Sequence, residues 1–455
     1  MHKNYVIDTN VLIQAPHALE SFEENHVILP VTVLEELDAL KDRDGECGHN
    51  ARQAIRFLER LRIKGNLTKG VRLDSAGLLR LETNFVDIQL PDGFGVKNDN
   101  RILRVCKGLI EKNEPTILVT KDIVLRLKAQ IMNIPAEDFI TDQAPEASSQ
   151  YTGRTDVFVP ANLLTGFRKN GLSPQDAYVL GKNGAKTAAE LTLNQFCVLR
   201  SDTQINKTML GYYDGKQIVP LKYAAKKPFG VTPKNLGQYF LQEALMIPHS
   251  SAPLVIIKGP AGTAKTFYTL AVGLQKIMNE KEPLYRKILL CRSNVQFDQE
   301  IGFLPGNEQE KIAPLLRPVM DNLEILVDSD NKERYKNEKE LRGKVEFLFD
   351  SGIITAEAIN FIRGRSISHT YLMIDEAQNL TPRQIKGIIT RAGKGTKIVL
   401  LGDPAQIDHP LLDERTNGLS YAGEHMKGSP LCFQISMLPE ECERSELALD
   451  AAKRM

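Results

Sequence analysis

The sequence runs to 455 residues, which at roughly 100–200 residues per domain leaves room for two to four domains. A hydrophobic share of 42% beside 25% charged residues excludes a disordered chain, and 58 lysines and arginines against 57 acids exclude a globally basic one, so any basic binding surface must be local. The cysteines (Cys47, Cys106, Cys197, Cys291, Cys432, Cys442) form no Cys-x-x-Cys pair, which points to a reduced, cytoplasmic protein without structural zinc.

In chain order, a strand begins almost at once with Tyr5, Val6, Ile7 and Asp8, with no charged-then-apolar leader before it. No apolar run approaches the roughly 18 residues of a membrane span, so no membrane association is expected. Further strands at 27–30 and 116–119 alternate with helical patterns at 33–41 and 51–62. That alternation predicts an α/β domain with a mainly parallel sheet. Cys47 and His49 have no second pair to complete a metal site and read as loop residues. Arg52, Arg56 and Arg60 recur every fourth residue, either as a stripe that tracks a phosphate backbone or as a solvated face.

Acids gather at strand ends and helix starts in this region: Asp8, Glu36, Asp99 and Asp122. Such carboxylates repel one another unless a cation neutralises them, and their hard oxygens suit Mg²⁺ or Mn²⁺. A site of that kind can activate water for displacement at a phosphodiester. The segments VIDTNVLI, VLEELDALK and VTKDIVLRLKA resemble a PIN domain, the fold of many metal-dependent ribonucleases, over residues 1–143. The resemblance implies Asp8, Glu36, Asp99 and Asp122 as catalytic metal ligands. It selects Glu36, which precedes a leucine, over Glu35, and gives Asp38 a supporting place. A PIN fold kept for binding alone is the other reading.

Residues 141–155 (TDQAPEASSQYTGRT) are polar and small, a linker candidate. Short β-rich pieces follow at 157–159, 196–199, 208–213 and 218–222, with the hairpin signal Asp214-Gly215 before the last. Residues 144–231 are therefore expected to be a linker and small β-rich module, in which no chemistry is visible.

Alternation returns over residues 232–455, with strands at 254–258, 287–291, 370–374 and 397–401 and a charged helical insertion at 332–344. The first of these strands runs into Gly259-Pro260-Ala261-Gly262-Thr263-Ala264-Lys265-Thr266 and then a helical pattern, the context of a phosphate loop. Backbone N–H groups would cradle ATP, Lys265 would bridge its β- and γ-phosphates, and Thr266 would ligate Mg²⁺. Ala264 stands where glycine usually precedes the lysine. If it opens the helix, its φ is negative and alanine costs no strain. The third strand ends in Asp375 and Glu376, which would hold Mg²⁺ and serve as general base. The fourth ends in GDPAQ, where Gln406 would sense the γ-phosphate.

GPAGTAKT, IDEAQN and GDPAQ together resemble the ATPase core of superfamily-one helicases, and more specifically the PhoH family, which RSNVQFDQEIGFLPG (292–306) and ERSEL (443–447) also match. The resemblance implies that Gln238 reads adenine, with a surface amide as the alternative. It also implies an arginine finger, for which Arg444 leads over Arg391 and Arg365, and a homo-hexameric ring. The whole chain resembles PIN–PhoH fusion proteins: an α/β protein with an N-terminal PIN-like parallel-sheet domain, a β-rich middle and a C-terminal P-loop, helicase-like NTPase. The activity this implies is an ATP-driven motor that unwinds or threads single-stranded RNA and feeds a nuclease, with an antitoxin-type regulator as a further candidate partner. The rival readings are a remodelling factor whose PIN domain only binds RNA and an ATP-gated regulatory assembly.

Overall fold

The computed structural model describes residues 2–16, 18–43, 45–91, 94–95, 97–139, 144–181, 184–204, 207–278, 282–293, 308–330, 338–362, 366–409 and 412–443. The chain divides into two compact units, Met1–Thr141 and Asp142–Met455.

In the first unit, strands β1 (Asn4–Ile7), β2 (His26–Pro30), β3 (Val71–Arg72), β4 (Leu78–Glu82), β5 (Thr116–Val119) and β6 (Ala136–Glu137) lie in the order β3-β4-β2-β1-β5-β6. Every neighbouring pair is parallel except β3 with β4. The helices are α1 (Thr9–Gln14), α2 (Val31–Leu40), α3 (Gly45–Lys64), α4 (Asn98–Glu111) and α5 (Ile123–Ile131). The apolar runs of β1, β2 and β5 are buried, with Val6, Ile7, Ile28, Leu29 and Leu118 in one core. Because β1 neighbours both β2 and β5, the sheet has a topological switch point at β1, where open α/β sheets bind ligands beyond the strand C-termini. The register Ile7↔Val119 sets Asp8 and Thr120 side by side at that edge.

The second unit holds two sheets. Strands β7 (Arg154–Val159), β8 (Tyr178–Leu180), β9 (Lys186–Ala188), β10 (Phe196–Ser201), β11 (Thr208–Tyr213) and β12 (Ile218–Pro220) lie in the order β12-β11-β10-β7-β8-β9, with α6 (Ala161–Asn170) against them. The expected hairpin joins β11 to β12. Asp214 Oδ1 accepts from the N–H groups of Lys216 and Gln217, while Gly215 takes the positive φ of +95° that the turn needs. The other sheet is wholly parallel: β13 (Leu254–Lys258), β14 (Lys287–Arg292), β15 (Ile354–Ala356), β16 (Thr370–Asp375), β17 (Lys397–Gly402) and β18 (Cys432–Ser436), ordered β15-β14-β16-β17-β13-β18. Its helices are α7 (Leu236–Met246), α8 (Lys265–Met278), α9 (Glu308–Asp330), α10 (Glu338–Asp350), α11 (Ile359–Ile362), α12 (Pro382–Ile389) and α13 (Gly418–His425).

The β-rich middle does not stand apart as a domain. Phe196, Val198 and Tyr212 enter the same core as Phe240, Phe433 and Ile435 of the parallel-sheet region, and Phe196 stacks on Phe240 at 4.8 Å. The expected linker is likewise docked from residue 144 onward: Ala144 N–H donates to Arg415 O, Arg415 pairs with Glu146 at 2.8 Å, and Gln150 donates to Glu414 O. Polar composition alone does not tell a free tether from a strap whose polar groups find partners. The charged insertion is exposed as its composition suggests over residues 339–344, apart from the half-buried Leu341, and α10 buries Val345 and Leu348 only beyond it, while 332–337 lie outside the described residues.

Candidate functional site

In the first unit, β1 ends at Ile7 and the next residue, Asp8, is the N-cap of α1. Its carboxylate accepts from Thr9 N–H and from Thr120 Oγ1, both at 2.6 Å. Burial raises its pKa from 3.8 to about 6 against the lowering effect of those bonds, and the nearby charges of Glu36 and Asp99 raise it further. Glu36 lies on α2 and accepts from the Thr9 hydroxyl, whereas Glu35 faces outward to Arg101 at 3.4 Å. Asp99 sits in the first turn of α4. Asp122 caps α5 by accepting from Val124 and Leu125 N–H, and joins the site through its own N–H, which donates to Thr120 Oγ1 at 3.0 Å.

Glu36 and Asp99 thus each come within electrostatic reach of Asp8, and Asp122 is one hydroxyl away. Among the described residues no group of three or more His, Cys, Asp or Glu closes into a metal-binding cluster, and both Asp8 oxygens and Glu36 Oε2 accept hydrogen bonds. The donor set nonetheless suits a hard divalent cation, because a buried carboxylate held beside two others is relieved by a positive charge. Asp38 takes no part in the site: it is 69% exposed and pairs with Lys41. Arg52 closes the end of α2 by donating to Lys41 O and Arg43 O, a structural use of one member of the basic stripe.

In the second unit, the registers Lys258↔Gly402, Ile374↔Leu400 and Arg292↔Asp375 bring the ends of β13, β17, β16 and β14 to one edge. The phosphate loop crosses it. Thr263, wholly buried, donates from its hydroxyl to Pro260 O at 2.8 Å, and Lys265 Nζ donates to Gly259 O and Pro260 O at 2.6 and 2.9 Å. Burial lowers the Lys265 pKa while Asp403, Asp375 and Glu376 raise it, so three acids share its charge. Ala264 corrects the sequence expectation: α8 begins at Lys265, and Ala264 has φ +62°, the left-handed region in which glycine is unstrained and alanine is not.

Thr266 Oγ1 lies 3.5 Å from Asp375 Oδ1. Burial, aided by Glu376, raises the Asp375 pKa to about 6. Glu376 is also left-handed, at φ +55° and ψ +39°, and pairs with Arg292 at 3.1 Å. Strain of this kind concentrates where side chains must be aimed. Gln406 is exposed, and its carbonyl accepts from Gln378 Nε2. Gln238 is buried rather than a surface amide: its Oε1 accepts from Lys234 N–H and Tyr268 Oη, and its Nε2 donates to Glu443 Oε1 at 2.6 Å. Arg391 is exposed at the end of α12, whereas Arg444, Arg365 and residues 294–307 lie outside the described residues.

Two central residues carry no signal of their own in the sequence. Gln378, wholly buried, donates to Glu376 Oε2 at 2.6 Å and to Gln406 O, while its Oε1 accepts from Asp403 N–H, so one amide joins the acidic pair to the candidate sensor. Thr120, also wholly buried, gathers Asp8, Asn10 and Asp122 on one hydroxyl. Each sits within a quoted motif, and only the fold shows what it holds.

A PIN domain family model matches residues 5–140 and a PhoH-like protein model matches residues 230–454. Protein PhoH2 of Bacillus subtilis is 40% identical over 463 residues, covering 99% of both chains. Protein PhoH2 of Thermobispora bispora is 30% identical over 451 residues, 98% of this chain and 95% of that one. Among solved structures, a domain of a functionally unknown protein from Methanocaldococcus jannaschii aligns with 30% of this chain and 91% of its own at 21% identity and a TM-score of 0.21. The two matched regions coincide with the two acid-lined strand edges, and the chain belongs to the PIN–PhoH family, that of the proteins named PhoH2, with an N-terminal PIN domain and a C-terminal PhoH domain of the P-loop NTPase type.

Proposed function

We propose that this protein is an ATP-dependent ribonuclease whose PhoH unit hydrolyses ATP to unwind or thread single-stranded RNA and whose PIN unit cleaves it. The observation that carries the reading is a pair of buried aspartates, Asp8 and Asp375, each raised to about 6 at a strand C-terminus among further acids. Both would receive a cation, Asp375 beside a phosphate loop and Asp8 at the switch point of a parallel sheet.

In the PhoH unit, Gly259 to Thr266 would hold the ATP phosphates, with Lys265 turning from its loop carbonyls to the β- and γ-phosphates. Thr266 and Asp375 would hold Mg²⁺, which would neutralise charge on the phosphates. Glu376 would accept the proton of the attacking water, and Gln378 would carry the position of Gln406 to that base. In the PIN unit, Asp8, Glu36, Asp99 and Asp122 would hold Mg²⁺ or Mn²⁺ and orient the water that attacks a phosphodiester. A homo-hexamer with a finger arginine, Arg444 first among the candidates, supplied by a neighbouring subunit belongs to the same proposal. Among the described residues no helix is long and apolar enough to cross a membrane, and a cytoplasmic location accords with six scattered cysteines of which none form a Cys-x-x-Cys pair. No observation points to an antitoxin-type regulator, and none is proposed.

The rival, an RNA–protein remodelling factor whose PIN unit only binds, is favoured by one observation: the four acids do not close into a ligand cluster. Labelled single-stranded RNA and DNA separate the two. Asp8→Asn is expected to abolish divalent-dependent cleavage and to leave ATP hydrolysis, while Lys265→Ala removes ATP hydrolysis. If the unaltered protein with ATP and Mn²⁺ cleaves neither substrate, the nuclease reading fails and the remodelling reading stands.

A further inference from the structure

The middle sheet, to which no role has been given, has two faces with different fates. Val157, Val159, Cys197 and Leu199 point to one side and pack on Leu164 and Phe167 of α6. On the other side, Phe196, Val198 and Tyr212 are sealed against the PhoH core. The sheet runs on beyond that seal. The registers Phe158↔Tyr178, Arg200↔Phe158 and Arg200↔Thr208 align Thr208, Arg200, Phe158 and Tyr178 in one row across four strands, on the same side as Phe196 and Val198.

In that row, the Phe158 and Tyr178 rings stack with centroids 6.0 Å apart and planes 27° from parallel. Both are half-buried, and neither belongs to the core on either side of the sheet. Lys186 Nζ lies 4.3 Å over the Tyr178 ring, and Arg200, paired with Asp156 at 3.1 Å, stands on the other side with 43% of its side chain exposed. The module as a whole has the same sign: residues 151–222 carry nine lysines and arginines against five acids, in a chain whose net charge is +1.

We propose that this open end is a stacking platform for single-stranded nucleic acid. Aromatic rings on a sheet surface, flanked by cations, meet bases through their π-faces and phosphates through charge, with little demand on sequence. A duplex would keep its bases stacked inside and offer the rings none of them, whereas a single strand offers both groups at once. The inference rests on the RNA-handling reading above and adds to it the surface on which the strand would lie. A cross-strand aromatic pair can also serve the sheet alone, and the test is built to separate the two.

The test uses the full-length protein in chelator, so that nothing is cleaved, with fluorescein-labelled oligouridine and oligodeoxythymidine followed by anisotropy. Tyr178→Ala is expected to weaken binding about tenfold, the loss of one stacked base, while Tyr178→Phe retains it. Lys186→Gln is expected to lower the slope of log affinity against log salt by about one. ATP hydrolysis without RNA should be the same in all three, which shows that they fold. Ultraviolet crosslinking of the unaltered protein should place the oligonucleotide on peptides containing Phe158 or Tyr178. Unchanged affinity in Tyr178→Ala, or crosslinks confined to other peptides, overturns the platform and leaves the RNA reading intact. Failure of the unaltered protein to bind either oligonucleotide overturns both.

Discussion

The main-chain N–H of Glu443 donates to the carbonyl of Gly262 at 2.8 Å, which ties the segment leading into Arg444 to the phosphate loop of its own chain. The Glu443 side chain is held in turn by Gln238 Nε2 and Lys234 Nζ, each at 2.6 Å. Gln238 is therefore the far end of a clamp on the loop. Both lone pairs of its Oε1 are taken, by Lys234 N–H and Tyr268 Oη, so it has no acceptor left for the amino group of adenine. One N–H remains, and that can meet N7 of any purine. Gln238→Ala is accordingly expected to raise the KM for ATP and GTP together, several-fold, with their kcat/KM ratio unchanged. Steady-state kinetics with both nucleotides decide it, and a loss confined to ATP would restore the base-reading role.

Ala264 offers a prediction of opposite sign. A left-handed alanine costs roughly 1–2 kcal/mol relative to unstrained backbone, and glycine gives part of that back as unfolded-state entropy. Ala264→Gly should therefore stabilise the second unit by about 0.5–1 kcal/mol, read as a higher urea midpoint at unchanged slope. The alanine methyl packs at the edge of the PhoH core, and a lower midpoint would mean that this contact outweighs the strain.

The parts of this molecule legible in advance are those whose signal is local. β13 could be read because five apolar-to-lysine residues run directly into a glycine loop, and Asp8 because an acid ends an apolar strand. The rest depends on partners brought together by folding. Arg154 forms a buried ion pair with Glu441 across 287 residues, and Gln378 reaches Gln406 O across 28, and neither spacing has a periodicity to reveal it. The sign of φ at Ala264 is set by closure of the loop rather than by the residue. The platform row of the middle sheet exists only because β7 pairs in parallel with β10, which strand propensities do not specify.

Asp8 links stability to pH in the chelated protein. Its folded pKa of about 6 lies above the ordinary 3.8, so between those values the folded chain holds more protons than the unfolded one. Stability contributed by this group is present below about pH 4 and is lost as pH rises through about 6. Asp8→Asn removes the buried charge and should be more stable than the unaltered protein at pH 7, by about 1–3 kcal/mol, with the difference vanishing near pH 4. Urea unfolding at the two pH values measures it. Equal stabilities at pH 7 would show that the carboxylate is not under strain.

Thr120 gives the sharpest test of the PIN site, because valine has its shape without its hydroxyl. The hydroxyl donates to Asp8 Oδ2 at 2.6 Å and accepts from Asn10 Nδ2 and from Asp122 N–H, at 3.1 and 3.0 Å. Its bond to Asp8 lowers the pKa of that carboxyl, so Thr120→Val should move the pKa further up. At neutral pH less of Asp8 would then be ionised, and a supporting hydrogen bond of this kind is worth about 10–100-fold in metal affinity or activity. Divalent-dependent RNA cleavage is expected to fall by that factor at pH 7 and to recover partly as pH rises, so that the acidic limb of the pH–rate profile moves to higher pH. ATP hydrolysis should not change. A uniform fall at all pH values, with the limb in place, would mean that Thr120 merely supports the packing of α1 and α5, and that the charge of Asp8 is set by burial and by Glu36 and Asp99 alone.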